Sequence, residues 1–130
     1  MLERLVSVLI AVKDFSERKD IRNVLEENFQ ENLTVHEVFS EEKILEICNK
    51  ENILIAVIDT EIADRGAVDA IKRLYERNEE CKVIILTDSE KISTYEQVKL
   101  PNVLDYILRP YEKMGLVTAM EYAIVGTKNR

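Results

Sequence analysis

The chain is poor in exactly the residues that many active sites are built from. It has three glycines in 130 residues. None forms a glycine-rich loop after the first apolar run, so a P-loop and a dinucleotide fingerprint are excluded. It has one histidine, His36. That leaves no nucleophile–histidine pair and no ligand-spaced companion for a metal. Its two cysteines, Cys48 and Cys81, make no disulfide framework and read as small buried hydrophobes. Positive charge is short as well: 18 Lys and Arg stand against 25 Asp and Glu, a net charge of −7. Phosphate backbones and anionic membranes select basic surfaces, so neither is expected as a direct partner. No apolar run is long enough to span a bilayer. The opening "MLERLVSVLIAVKD" is closely bounded by charge and has no small-residue cleavage site, so it reads as a strand rather than a signal peptide. A cytoplasmic location is the expectation.

What remains is a chain that is 46% hydrophobic and 33% charged, enough for a real core and a soluble surface. Residues 1–130 read as one domain. "LVSVLIAV" (5–12), "ILIAVID" (53–59) and "KVIILT" (82–87) are continuous apolar runs, as strands buried on both faces are. "VLDYIL" (103–108) is a fourth run, and "LTVHEVF" (33–39) alternates like an edge strand. Helical spacing lies between them. Ile21, Val24, Leu25 and Phe29 follow Ser16 as a cap. Ile44, Leu45 and Cys48 follow Ser40. Val68, Ile71, Leu74 and Tyr75 mark a third helix. Ile92, Tyr95 and Val98 follow Ser89, and Leu116, Val117, Met120, Ala123 and Ile124 mark the fifth.

Five strands alternating with five helices predict a parallel sheet with helices on both faces, the first helices on one face and the later ones on the other. Ligands of such a sheet bind beyond the carboxyl ends of the strands. The residues there are Lys13 and Asp14, Asp59, Thr87 and Asp88, and Arg109 with Pro110.

In that order, on those strand ends, "VKD", "VID", "LTD" and "LRP" resemble the receiver domain of two-component response regulators, chemotaxis regulators included, over nearly the whole chain. The resemblance implies a flavodoxin-like fold with strand order 2-1-3-4-5. It places Asp59 on the phospho-acceptor, Thr87 on the hydroxyl residue, Asp14 on the second acid of a pair, Arg109 on the conserved-type lysine and Tyr106 on the aromatic switch position. It implies a Mg²⁺ site at Asp14, Asp59 and Glu61, weakened here because Lys13 replaces an acid. It implies a cis peptide between Arg109 and Pro110. It implies a protein partner, a histidine kinase or an output protein, and a partner or homodimer face on the fourth helix, fifth strand and fifth helix, with Tyr95 and Tyr106 as aromatic anchors.

The departures are chemical. Lys13, Arg109 and Asp88 stand where an acid, a lysine and a small residue are usual. Mg²⁺ wants several oxygens in octahedral array. Here Asp14 and Asp59 balance Lys13 and Arg109 without it, and the Lys13 ammonium can take roughly the place of the ion. Arg109 then meets either an incoming phosphoryl group or Asp59, with Asp88 as a second partner. Two functions follow: a phosphorylation-independent interaction module, or a switch that takes a phosphoryl group on Asp59 with Mg²⁺. Neither is read as an enzyme.

Overall fold

The computed structural model describes residues 5–29, 33–63 and 66–128. In chain order these form β1 (Val6–Ala11), α1 (Phe15–Phe29), β2 (Leu33–Val38), α2 (Glu41–Lys50), β3 (Ile55–Asp59), α3 (Val68–Arg77), β4 (Lys82–Thr87), α4 (Ile92–Val98), β5 (Val103–Leu108) and α5 (Lys113–Lys128). All five strands pair in parallel in the order β2-β1-β3-β4-β5. The three central strands are the continuous apolar runs of the sequence. Nearly all of their residues are buried because helices cover both faces.

Alternation along the strands divides the core in two. Val8, Ile10, Val57 and Leu86 face α1 and α5, packing on Ile21, Leu25, Leu116 and Met120. Leu9, Ala56, Ile58 and Ile85 face α2, α3 and α4, packing on Ile44, Ile71 and Tyr95. The helices are therefore not split into early and late. The chain steps one way from β1 to β2 and then reverses. With right-handed crossovers, α1 falls opposite α2–α4, and α5 returns to the α1 face. The reversal opens the crevice between β1 and β3, directly beside Asp59.

Helix starts follow local chemistry, and they correct two of the expected caps. Ser40 caps α2, accepting from the Lys43 amide at 3.3 Å. At α1, however, Asp14 is the cap: its Oδ2 accepts from the Glu17 amide at 2.8 Å, and Ser16 already lies within the helix. A carboxylate there also suits the positive end of the helix. Ser89 opens nothing, since α4 starts after Lys91 with no side-chain cap. The start of α3 at Ala67 also has no cap of its own.

Candidate functional site

The carboxyl end of β3 delivers Asp59 into the crevice with its side chain only 3% exposed. A carboxylate so buried must be hydrogen-bonded and paired. Oδ2 accepts from the Lys13 amide at 3.1 Å, and Oδ1 accepts from the Glu61 amide at 2.9 Å. The Arg109 guanidinium, from the end of β5, reaches Oδ1 at 2.9 Å. The Arg109–Pro110 peptide is cis.

Arg109 does more than meet Asp59. Its Nε donates to Glu17 Oε2 at 3.0 Å, and the same terminal nitrogen that touches Asp59 donates to Glu17 Oε1 at 2.8 Å. The hydroxyl of Tyr111 donates to Glu17 Oε2 at 2.9 Å. Burial works against the guanidinium's charge, but its hydrogen bond to Glu17 and the charge of Asp59 hold its pKa above the ordinary value. Burial pushes the Tyr111 phenol up, and the bond to Glu17 adds to it. The cluster joins strand ends β1, β3 and β5 to the first turn of α1.

The other predicted residues sit as follows. Lys13 contributes its backbone amide, while its side chain is exposed and makes no ion pair with Asp59 or Asp14. Its ammonium does not take the place of an ion. Asp14 is exposed and occupied by the α1 cap. The Glu61 carboxylate pairs with Lys91, and that hydrogen bond lowers its pKa. Thr87 is fully buried. Its hydroxyl accepts from Thr60 Oγ1 and donates to the Asp88 carbonyl, each at 3.3 Å, rather than facing Asp59. Asp88 is not on Arg109; its Oδ1 is buried without a hydrogen-bond partner. Tyr106 is half-buried against the α2–α4 core, where burial raises its phenol pKa.

Tyr95 requires a correction. It is 3% exposed, so it cannot be a surface anchor for a partner. Its hydroxyl turns inward and accepts from the Ala67 amide at 2.7 Å, providing the acceptor that the start of α3 lacks. Gly66, at φ +84°, lies just before it, and a Cβ there would stand 2.7 Å from the Tyr95 hydroxyl. The larger exposed apolar side chains of β5 and α5 are instead Leu108, Met114, Tyr122 and Val125.

A second cation sets the loop before α1. Arg18 is buried and donates to the carbonyl of Val12 at 2.7 Å and that of Lys13 at 3.4 Å. Its guanidinium lies 5.4 Å from the ring centre of Phe15 and 5.6 Å from that of Phe39. It also faces Glu37 of β2, which Lys19 and Arg22 share.

A divalent cation would need several oxygens converging on one point. Among the described residues no three His, Cys, Asp or Glu side chains come together to hold a metal. Asp14 is turned to the helix cap, Glu61 to Lys91 and Asp59 to Arg109, so this donor set does not fit Mg²⁺. Burial pushes the Cys48 thiol up to about 11 and the Cys81 thiol up to about 12, away from the reactive thiolate form.

Glu17 and Tyr111 were missed in the sequence. The signal for Glu17 was its place three residues after Asp14, the spacing of a capping box. In that motif the glutamate reaches back to the cap; here Arg109 takes it instead.

The family model for the response regulator receiver domain matches residues 8–121. No curated protein matches the chain. Solved structures share the fold. A response regulator receiver domain protein from Clostridium thermocellum has a TM-score of 0.84 at 19% identity, covering 95% of this chain and 98% of that one. A CheY-like receiver domain protein from Methanospirillum hungatei JF-1 has a TM-score of 0.82 at 17% identity, covering 97% and 99%. The signal receiver domain of an HD domain-containing protein from Pseudomonas fluorescens Pf-5 has a TM-score of 0.82 at 13% identity, covering 96% and 90%. No helix among the described residues is long and apolar enough to cross a membrane.

Proposed function

The chain belongs to the response regulator receiver domain family, and from that premise we propose that it is an atypical receiver, a protein-interaction module whose state does not depend on phosphorylation of Asp59. The observation that carries this is the position of Arg109. The cation that would greet an incoming phosphoryl group already bridges Asp59 and Glu17. In-line transfer would also call on a metal to neutralise phosphoryl oxygens, and the carboxylates present do not converge to hold one. The catalytic candidates Asp59, Thr87 and Arg109 then serve as a fixed ionic core at the strand ends, and Mg²⁺ binds weakly or not at all. We assign the domain no enzymatic role. Its partner is a protein, a histidine kinase or an output or target protein.

The contact surface we propose is the α4–β5–α5 face, which also serves for a homodimer. Tyr106 and the exposed Leu108 and Tyr122 supply its apolar side chains, in place of Tyr95. Large aromatics of this kind are enriched among interface hot spots.

The alternative is a switch in which Asp59 accepts a phosphoryl group with Mg²⁺ and Thr87 moves inward. It is favoured by one feature, the buried Thr87 hydroxyl at the neighbouring strand end. Incubation with a small phosphodonor, read by intact mass, separates the two. The expected result is no phosphoryl adduct and partner binding that is the same with and without donor. An adduct on the wild type that is absent from Asp59→Asn overturns the proposal.

A further inference from the structure

We propose that Glu17 is a built-in occupant of the anion seat on Arg109, and that it excludes free oxyanions of the phosphate class from the Asp59 pocket. This deepens the reading above and rests on it for the identity of the pocket.

The edge of a guanidinium formed by Nε and one terminal nitrogen matches a carboxylate or a phosphate with two parallel donors. In this chain both donors of that edge lie on the two oxygens of Glu17, at 3.0 and 2.8 Å. Tyr111 adds a third donor at 2.9 Å. Glu17 therefore receives the set of contacts that a bound oxyanion would receive. It is held there by its own backbone, since its amide is tied to Asp14 in the first turn of α1. A tethered ligand competes at a high effective concentration against a free one.

The seat is reachable. Side chains of Arg109 and Glu17 are 24% and 21% exposed. They open on a groove of about 880 Å³ between α1 and α5, lined among others by Asp14, Pro110, Tyr111 and Leu116. With Glu17 in place, one guanidinium already faces two carboxylates, and a further anion would meet net negative charge. Without the Glu17 charge, Arg109 and Tyr111 present three donors to the groove, while Asp59 stays paired with the same Arg109 terminal nitrogen.

The test follows the Arg109 Nε–H resonance in the ¹⁵N-labelled 130-residue chain, assigned by its loss in Arg109→Lys, during titration with inorganic phosphate. In the wild type the resonance is expected to stay in place. In Glu17→Gln, which keeps the shape and removes the charge, it is expected to shift and saturate. Apparent affinity should be tighter by at least about tenfold, as for a seat that is free in only about a tenth of wild-type molecules. Tyr111→Phe, which leaves Glu17 on two donors rather than three, is expected to fall between them. Equal saturation in wild type and Glu17→Gln would overturn the proposal, and so would silence in both. If Glu17→Gln does not fold, Tyr111→Phe decides: binding tighter than wild type supports the proposal, and equal binding overturns it. A phosphoryl adduct on wild-type Asp59 would remove the phosphorylation-independent reading and leave this titration to be judged alone. A silent titration would remove the Glu17 assignment and leave the absence of an adduct standing.

Discussion

Replacing Asp59 with asparagine probes the cluster at its most buried point. The substitution keeps the volume and removes the charge that faces the Arg109 terminal nitrogen at 2.9 Å. It also breaks the symmetry of acceptance. The aspartate offers one oxygen to the Lys13 amide and the other to the Glu61 amide. Asparagine has a single oxygen, so its own NH₂ must face one of those donors. A hydrogen bond involving a charged group contributes about 1.5–3 kcal/mol net, and an unsatisfied buried donor costs about 1–3 kcal/mol. Against this, Arg109 keeps its two bonds to Glu17, and the repulsion between the two carboxylates that share it is relieved. The net expectation is a loss of about 1–3 kcal/mol. For a domain of this length, each kcal/mol corresponds to about 3–5 °C in Tm. Urea denaturation and calorimetry read the two quantities independently. A double-mutant cycle with Arg109→Gln should return a coupling energy of about 1 kcal/mol or more. A neutral or stabilising Asp59→Asn, or zero coupling, would refute the account, because it would mean that Asp59 carries an uncompensated charge held ready for a ligand.

Substitutions at three other positions test separate parts of the structure. Tyr95→Ala should cost about 3–5 kcal/mol by opening a cavity under α4, while Tyr95→Phe should cost about 1 kcal/mol by stranding the Ala67 amide; urea midpoints measure both. Glu37 is pushed up by burial, but its hydrogen bonds to Arg22 and Lys19 win and leave its pKa below the ordinary 4.5. A depressed folded pKa stabilises above the unfolded value and is lost as pH falls through the folded one. Glu37→Gln should therefore lower stability at pH 7, and the difference should shrink as pH drops below about 4.5, followed by Tm against pH. Mg²⁺ at 10 mM should leave the wild-type Tm unchanged. In Lys13→Asp, which adds a carboxylate, a dissociation constant near 1 mM would give about 1.4 kcal/mol of stabilisation at the same concentration.

The fold was legible because the apolar runs of β1, β3 and β4 are unbroken and the helix periods between them are clear. The strand-end residues were legible for the same reason, since the end of a run fixes where the next polar side chain emerges. The distribution of helices between faces was not, because it depends on where the winding reverses rather than on any single segment. Nor was the direction of side chains at the site. Lys13 and Tyr95 illustrate it: an ammonium counted as a charge proves to act through its backbone, and an aromatic counted as surface proves to cap α3 from within. Glu17 was unread because its partner, Arg109, lies 92 positions away, and no local period reports such a pairing.

The turn after β1 holds residue 13 by both of its peptide groups. The Lys13 amide is tied to Asp59, and the Lys13 carbonyl receives Arg18, while its side chain projects outward unpaired. Position 13 thus anchors the site with atoms that every residue except proline possesses. The acid or cation displayed there can be exchanged by a single codon change without disturbing the scaffold that holds Asp59. Exchanging the side chain at position 13 would therefore change the charge at the mouth of the pocket and leave in place the backbone hydrogen bond that holds Asp59.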